Sequence, residues 1–401
     1  MMPMSDVIVA GVGLHPWGKF PEKSWVEMGA EVALSAVADA GMEWTQVEAM
    51  VSGAMQWGGS TGMRSGNTIS AALGETGVPI ANINNACASG GSLMRAAYAM
   101  ITSGMHDSVL VIGTDKSPKG YFPSVPVLAD EPRPPIDMVR WQVGVPNPAY
   151  WALEMRKRME AYGSTEEHLA QVKVKNSRHG SLNPYARYRK AFPLEQVLAS
   201  PMVCDPLRLL EICATSDGAA AVVLVSERKA RRLGVSPMVK VAACSLASGE
   251  FGDPTIRIPL LAAASDTAAT APLLSESRLA AQMAYEQAGL GPEDMDFVEL
   301  PDNSSWHELQ YLETMGFCDP GEAEKLLDAG ETALGGRLPV CPSGGFSSFG
   351  EATMAQGVLQ IVEVTWQLRG TAGARQVEGA RKAITEVYGA QANNSACILT
   401  T

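Results

Sequence analysis

The stretch Asn84-Asn85-Ala86-Cys87-Ala88-Ser89-Gly90-Gly91-Ser92 follows an apolar β-type run, Pro79 to Ile83, and precedes a helical pattern from Leu93 through Met100. A thiol on such a strand-to-helix turn faces a helix N-terminus, whose dipole and free N–H groups favour an anion and lower the thiol pKa. That is one way to build a cysteine nucleophile. The same local pattern suits a small packed residue, because cysteine is among the most buried types. The seven cysteines (87, 204, 213, 244, 318, 341 and 397) are scattered and contain no Cys-x-x-Cys pair. They read as a reduced, cytoplasmic set without structural zinc. Neither a Gly-x-Gly-x-x-Gly turn nor a His/Asp cluster with metal spacing is present, so no nicotinamide or metal is expected in this chain.

Composition narrows the class. With 401 residues, 46% hydrophobic and 18% charged, the chain can bury a large core as two domains or one duplicated one. A formal net charge of −12 without a basic block argues against nucleic acid and against anionic membrane surfaces. Met1 to Ala10 lacks the pattern of a signal peptide, and no apolar stretch reaches membrane-spanning length. A cytoplasmic protein acting on small molecules is expected.

The elements that must position Cys87 read as a duplication. Trp25 to Ala40 is an amphipathic helix ending at Gly41 and followed by an acidic turn and an apolar strand; Ser277 to Ala288, Gly289 and the segment through Val298 repeat that order. A strand, a Gly-rich turn and a helix at Ile80 to Met100 recur at Leu338 to Leu368. Two βα-rich halves with helices packed on sheets are predicted. Residues 117–204, rich in proline, tyrosine and charge, form an excursion with helices around Trp151 to Tyr162 and Thr165 to Asn176. An insertion of this size is expected to cover a site or to act as a structural cap. The predicted divisions are 1–116 (first half, first part), 117–204 (excursion), 205–235 (completion of the first half) and 236–401 (second half).

The cysteine turn, Cys213-Ala214-Thr215-Ser216-Asp217-Gly218, Lys175-Asn176-Ser177-Arg178-His179 ahead of Asn183-Pro184-Tyr185, and Pro342-Ser343-Gly344-Gly345 together resemble the thiolase superfamily. The resemblance is to its sterol-carrier-protein-x, or lipid-transfer, branch and runs the length of the chain. It implies a five-layer αβαβα thiolase fold of two duplicated halves with an inserted loop domain, a homodimer core, coenzyme A as co-substrate, and Cys87 as acyl-accepting nucleophile. Thiolysis of a β-ketoacyl thioester needs a thiolate, donors for an oxyanion, and an acid for the departing enolate. An ordinary thiol, of pKa about 8.5, is only slightly ionised at neutral pH, so a base or a strong local field is required.

The chain departs from the family at two places. Where thiolases carry the histidine of a Gly-His-Pro turn, the segment Ser343 to Ala352 places Glu351. A carboxyl packed among Phe346 and Phe349 should have a raised pKa and accept the thiol proton; a glutamate here could instead only cap a helix. Where the family has a histidine or asparagine donor, this chain has Pro301, followed by Asp302-Asn303-Ser304-Ser305-Trp306-His307. His307 is the expected replacement for polarising the thioester carbonyl, with a packing role as the alternative. Asn303, Ser304, Gly345, Phe346, Phe349 and Trp306 are the expected oxyanion and substrate neighbours, with Trp57 a further aromatic wall. Cys397 lacks the glycines that follow the family's second catalytic cysteine and reads as strand core; Cys341 and Cys318 lie nearer the site by motif.

Three functions follow from these residues. The first is a thiolase, with segments resembling the benzoylsuccinyl-CoA thiolases of anaerobic toluene breakdown, which implies cleavage of 2-benzoylsuccinyl-CoA by CoA to benzoyl-CoA and succinyl-CoA. The second is a retro-aldol lyase of the steroid side-chain type, whose relatives use tyrosines where this chain has Pro301 and Glu351. The third is a non-catalytic thiolase-like binding subunit. The resemblance also implies a small partner subunit carrying an OB-fold and a zinc ribbon.

Overall fold

The computed structural model describes residues 6–54, 62–117, 147–248, 275–389 and 393–401. Its first half is built from β1 (Val7–Leu14), α1 (Trp25–Asp39), β2 (Ala49–Ala54), α2 (Ser65–Leu73), β3 (Ile80–Asn82), α3 (Ser89–Thr102) and β4 (Ser108–Lys116), completed by β7 (Asp217–Ser226) and α7 (Glu227–Leu233). Between β4 and β7 come α4 (Asn147–Tyr162), α5 (Glu166–Ser181), α6 (Leu194–Leu198) and the small β5 (Met202–Cys204) and β6 (Leu207–Arg208) pair. The second half comprises β8 (Val239–Cys244), β9 (Ala247–Ser248), α8 (Ser275–Ala288), β10 (Phe297–Glu299), α9 (Ser305–Thr314), α10 (Ala323–Asp328), α11 (Gly345–Phe349), α12 (Gln356–Leu368), β11 (Lys382–Gly389) and β12 (Asn393–Thr400).

Strand order exposes the duplication. The first half reads β3-β2-β4-β7-β1 and the second β10-β11-β12-β8, the two joined where Ile8 and Val9 of β1 pair with Lys240 and Val239 of β8. In each half an inner strand runs parallel to its outer neighbours and antiparallel to the next: β4 against β2 and β7, β11 against β10 and β12. Val340 bridges Val298 of β10 in the place that β3 takes beside β2. The helix ends repeat as well. Met42 N–H returns to Val37 O and Leu290 N–H to Tyr285 O, closing α1 and α8 around Gly41 and Gly289, whose φ angles of 64° and 66° favour glycine.

Alternation along the strands makes the layers. Ile8 and Ala10 of β1, Leu110 and Ile112 of β4, and Val223 and Val225 of β7 pack outward on α1 residues Met28, Val32 and Ala36. Val7, Val109, Val222 and Leu224 face inward, onto α3 and α12, and Val241, Ala383 and Leu399 of the second half join them from the other side. Ala243, Ile384 and Ile398 face the opposite way, onto Ala280, Ala281 and Ala284 of α8. The result is the predicted αβαβα sandwich. At its centre Gly90 of α3 meets Gly357 of α12 so closely that a Cβ on Gly90 would come within 2.6 Å of the Gly357 Cα. That approach brings the N-terminal ends of the two central helices side by side.

Candidate active site

Cys87 stands two residues before α3 and Glu351 five residues before α12. Ala86 is held at φ 48°, a left-handed conformation costly for a residue with a Cβ. Around it the backbone is fixed: Ser89 Oγ donates to Ala86 O and receives Asn85 N–H, both within 2.7 Å. Across the turn, the Cys87 thiol lies 3.4 Å from Glu351 Oε1 and donates to it.

Glu351 is placed by two segments far away in sequence. The strand-like run Ala214 to Ser216 pairs with it: Glu351 N–H donates to Ala214 O and Ser216 N–H to Glu351 O, at 2.6 and 2.9 Å. Ser216 Oγ donates to Phe349 O at 2.7 Å, and Ser117 Oγ to Glu351 O at 3.3 Å. From the other side α5 grips the preceding turn. Lys173 Nζ donates to Ser347 O, Lys175 Nζ to Val340 O, and Asn183 Nδ2 to Ser343 O, all within 3.1 Å. The Lys-Asn-Ser-Arg-His and Thr-Ser-Asp-Gly motifs thus act as clamps on the glutamate turn. Asp302 completes the clamp. Its carboxylate accepts Phe346 and Ser347 N–H at the start of α11 and Asn176 Nδ2, and it sits against Gly345, where a Cβ would come within 2.3 Å of Asp302 Oδ2. The Gly345 φ of 63° also favours glycine.

The electrostatics correct one expectation from the sequence. The Cys87 thiol was expected to be acidified by the α3 N-terminus, yet burial, and then the negative charge of Glu351, hold its pKa well above the ordinary value. The field of the helix end is outweighed by burial and by a carboxylate in direct contact. Burial also raises the Glu351 carboxyl to about 7, against the pull of hydrogen bonds from Cys87, Cys213 and Asn303. Asp115, at the end of β4 and accepting from Thr353 Oγ1 at 2.7 Å, is likewise raised by burial to about 7. The resting pair is therefore a neutral thiol beside a carboxyl group poised to take its proton near neutrality.

Sequence comparison matches residues 7–228 to the thiolase N-terminal domain and residues 262–401 to the thiolase C-terminal domain-like family. The chain belongs to the thiolase superfamily. It is 35% identical to the acetyl-CoA acetyltransferase of Methanothermobacter thermautotrophicus, with 98% of each chain covered. It is 34% identical to the sterol carrier protein 2 of Bos taurus over 96% of this chain and 70% of that one. Identity to the benzoylsuccinyl-CoA thiolase subunit BbsB of Thauera aromatica is 32%, covering 96% of this chain and 94% of the relative. Among solved structures, an Ltp2-ChsH2(DUF35) aldolase superposes with a TM-score of 0.81 at 25% identity, covering 100% of this chain and 99% of that one. The chain is thus a thiolase-type acyltransferase of the sterol carrier protein 2-like branch.

The thiolase site contains one residue that the motifs did not single out. Cys213 Sγ lies 3.8 Å from Glu351 Oε2, and Asn303 Nδ2 donates to that sulfur at 3.8 Å. Asn303 O receives Cys213 N–H at 2.9 Å, and Asn303 Oδ1 is buried with no hydrogen-bond partner among the described residues. The signal for Cys213 was tertiary: it opens the segment that pairs with Glu351, 138 residues away.

The other predicted residues go elsewhere. His307 Nδ1 accepts from Ser304 N–H and faces Ser304 Oγ at 2.8 Å, closing a capping box on α9. Its ring packs among Trp151, Trp306, Tyr311 and Tyr388, and burial lowers its pKa to about 3. Among the described contacts, none joins it to Cys87 or Glu351. Trp306 packs with Trp151 and Ile212, while Phe346 and Phe349 enter the central core, Phe349 edge-on to Trp17 at 5.5 Å. Trp57 lies outside the described residues. Cys341 donates to Leu300 O, and Cys397 faces Cys244 inside the second sheet. Cys318 sits beside Glu313 and Arg158, with burial raising it to about 12. Among the described residues no group of three or more His, Cys, Asp and Glu side chains could hold a metal, and no helix is long and apolar enough to cross a membrane.

Proposed function

We propose that this chain cleaves a β-ketoacyl-CoA with free CoA through an acyl-Cys87 intermediate, with Glu351 as the proton acceptor. The observation that carries the reading is the 3.4 Å contact between the Cys87 thiol and the Glu351 carboxylate. As sulfur attacks the keto carbon, its proton passes to Glu351, so no free thiolate has to persist beside a negative charge. When CoA enters, Glu351 takes the CoA thiol proton and returns it to the Cys87 sulfur as the acyl group leaves. Asn303, whose Nδ2 donates beside Cys213 and the Glu351 carboxyl, is the side chain we assign to donating to a substrate carbonyl.

We assign 2-benzoylsuccinyl-CoA as the substrate, giving benzoyl-CoA and succinyl-CoA. The likeness to BbsB over nearly the whole of both chains supports this choice. The test is turnover of synthetic 2-benzoylsuccinyl-CoA with and without free CoA. Benzoyl-CoA formed only when CoA is present, with succinyl-CoA limited to one equivalent per site in its absence, supports the reading, and acetoacetyl-CoA cleaved in preference would move it to short unbranched chains. The aldolase of similar fold favours a second reading, retro-aldol cleavage of a β-hydroxyacyl-CoA. That reaction needs no free CoA, so the assay repeated with the corresponding β-hydroxyacyl-CoA, with and without CoA, separates the two.

The working assembly we propose is a cytoplasmic homodimer core carrying small OB-fold and zinc-ribbon subunits at the CoA entrance beside the 117–204 segment, of which 118–146 lie outside the described residues. Support comes from the description of BbsB as a subunit and from the paired name of the solved aldolase. Co-expression with a small subunit of that type followed by size-exclusion chromatography tests it. A purified single chain that is fully active and binds no such subunit would refute it.

A further inference from the structure

Thiolysis leaves an enolate on the departing thioester, and the groups assigned so far do not include the acid that quenches it. Glu351 presents two oxygens to two thiols: Oε1 to Cys87 at 3.4 Å and Oε2 to Cys213 at 3.8 Å. Among the described residues these are the thiols within hydrogen-bonding reach of that carboxyl. Both cysteines keep part of their surface open, whereas Cys244, Cys341 and Cys397 are buried. Cys213 is fixed in place by its own backbone, through N–H to Asn303 O at 2.9 Å, and its sulfur is held by the Asn303 amide. The buried ammonium of Lys173, tied to Ser347 O at 2.7 Å, lies close enough for its charge to be felt by that sulfur. Burial and the negative charges of Glu351 and Asp302 hold the Cys213 thiol well above its ordinary pKa, so it keeps its proton until the enolate forms.

We propose that Cys213 is a second catalytic residue, the acid that protonates the α-carbon of the departing thioester. The inference rests on the thiolase reading above. The Cys87 proton moves to Glu351 as the C–S bond forms; the C–C bond then breaks and its electron pair goes to the enolate. Cys213 gives its S–H proton to the α-carbon and becomes a thiolate, and the Glu351 carboxyl re-protonates that thiolate. The net result is transfer of the Cys87 proton to the product, with Glu351 ionised and Cys213 neutral again. No oxidant or further co-reactant is required.

The test separates acyl transfer from carbon protonation in Cys213→Ser and Cys213→Ala. Acylation of Cys87 is followed by quenched intact-protein mass spectrometry with benzoyl-CoA and acetyl-CoA as donors. Carbon protonation is followed in the same preparations as deuterium uptake from D2O into the α-carbon of succinyl-CoA and acetyl-CoA. In both variants acylation should stay near the wild-type rate while deuterium uptake falls by about 100-fold or more, the lower range for loss of a general acid. Unchanged uptake in both variants overturns the role. A parallel fall of acylation and uptake also overturns it, by showing that Cys213 merely supports Glu351. If the wild-type enzyme itself is acylated by neither donor, the thiolase reading fails, and the role of Cys213 falls with it.

Discussion

The turn before α3 and the turn before α12 occupy equivalent places in the two halves, yet they are built differently. The first is short and self-contained: β3 ends at Asn82, Ala86 takes the strain at φ 48°, and Cys87 follows at once. The second starts with a matching strained residue, Cys341 at φ 49°, but inserts the whole of α11 before Glu351 and relies on α5, Asp302 and the 213–216 run to hold it. Each delivers one ionisable group to the N-terminal end of a central helix. Neither group is ionised outright there, because burial pushes both the thiol and the carboxyl upward. A helix end therefore places these groups without fixing their charge. Burial sets the direction for both groups, the partner across the gap adds to it at Cys87 and opposes it at Glu351, and the duplicated scaffold carries a thiol in one copy and a carboxyl in the other.

The strongest way to break the comparison is to remove one member. Cys87→Ala should abolish turnover while thermal unfolding stays within a few degrees of wild type, because removing one sulfur from a residue of intermediate exposure takes away little packing. Retained activity would make the two turns equivalent scaffolding. Glu351→Gln should lower kcat by roughly two to four orders of magnitude, the usual worth of general acid–base catalysis. The pH profile sharpens this. Glu351 must be ionised to accept a proton and its carboxyl is raised to about 7, so kcat/KM should climb as pH rises through that value and level off above it. The glutamine variant should lose that limb, and a limb that persists unchanged would assign the titration to another group such as Asp115.

The crossing that joins the two turns gives a smaller effect. Gly90→Ala puts a Cβ 2.6 Å from the Gly357 backbone, whereas Gly357→Ala meets the Val387 side chain at 3.0 Å and Gly90 at 3.1 Å. Gly90→Ala should destabilise by about 1–3 kcal/mol, the range for overpacking, and lower kcat by spreading the helix ends. Gly357→Ala should cost less on both counts. Denaturant titration of the two variants side by side would reveal a reversed order. Smallest of all is Ala86→Gly. Relief of a left-handed φ is worth roughly 1–2 kcal/mol, offset by roughly 0.5–1 kcal/mol of added chain entropy, for a net gain of at most ~1.5 kcal/mol. Cys341→Gly should destabilise instead, because its buried thiol packs in the second-half core.

The layers were legible because they rest on local periodicity. The amphipathic helices before the Gly41 and Gly289 stops, each followed by an acidic turn and an apolar strand, announce both halves. Cys87 drew notice from its strand-to-helix turn, and Glu351 only from the family resemblance, because it stands where thiolases carry a histidine. Cys213 was not legible, since nothing in Cys213-Ala214-Thr215-Ser216 states that it will lie along Glu351. The direction of the Cys87 pKa shift was also hidden, because it comes from burial and then from a carboxylate 264 residues away. His307 looked available as a donor from its place at the start of a helix. Its ring nitrogen instead serves the capping box with Ser304, a use that residue spacing alone allows equally well.

The account stands or falls on where the acyl group goes and which side chain helps it arrive. Quenched-flow peptide mapping of wild type and Glu351→Gln after mixing with 2-benzoylsuccinyl-CoA in the absence of free CoA addresses both. The predicted result is a benzoyl group on the peptide containing Cys87, formed at least ~100-fold more slowly in Glu351→Gln, the lower range for loss of a general base. An acyl group on another residue, or equal acylation rates in the two proteins, would contradict the pairing of Cys87 with Glu351.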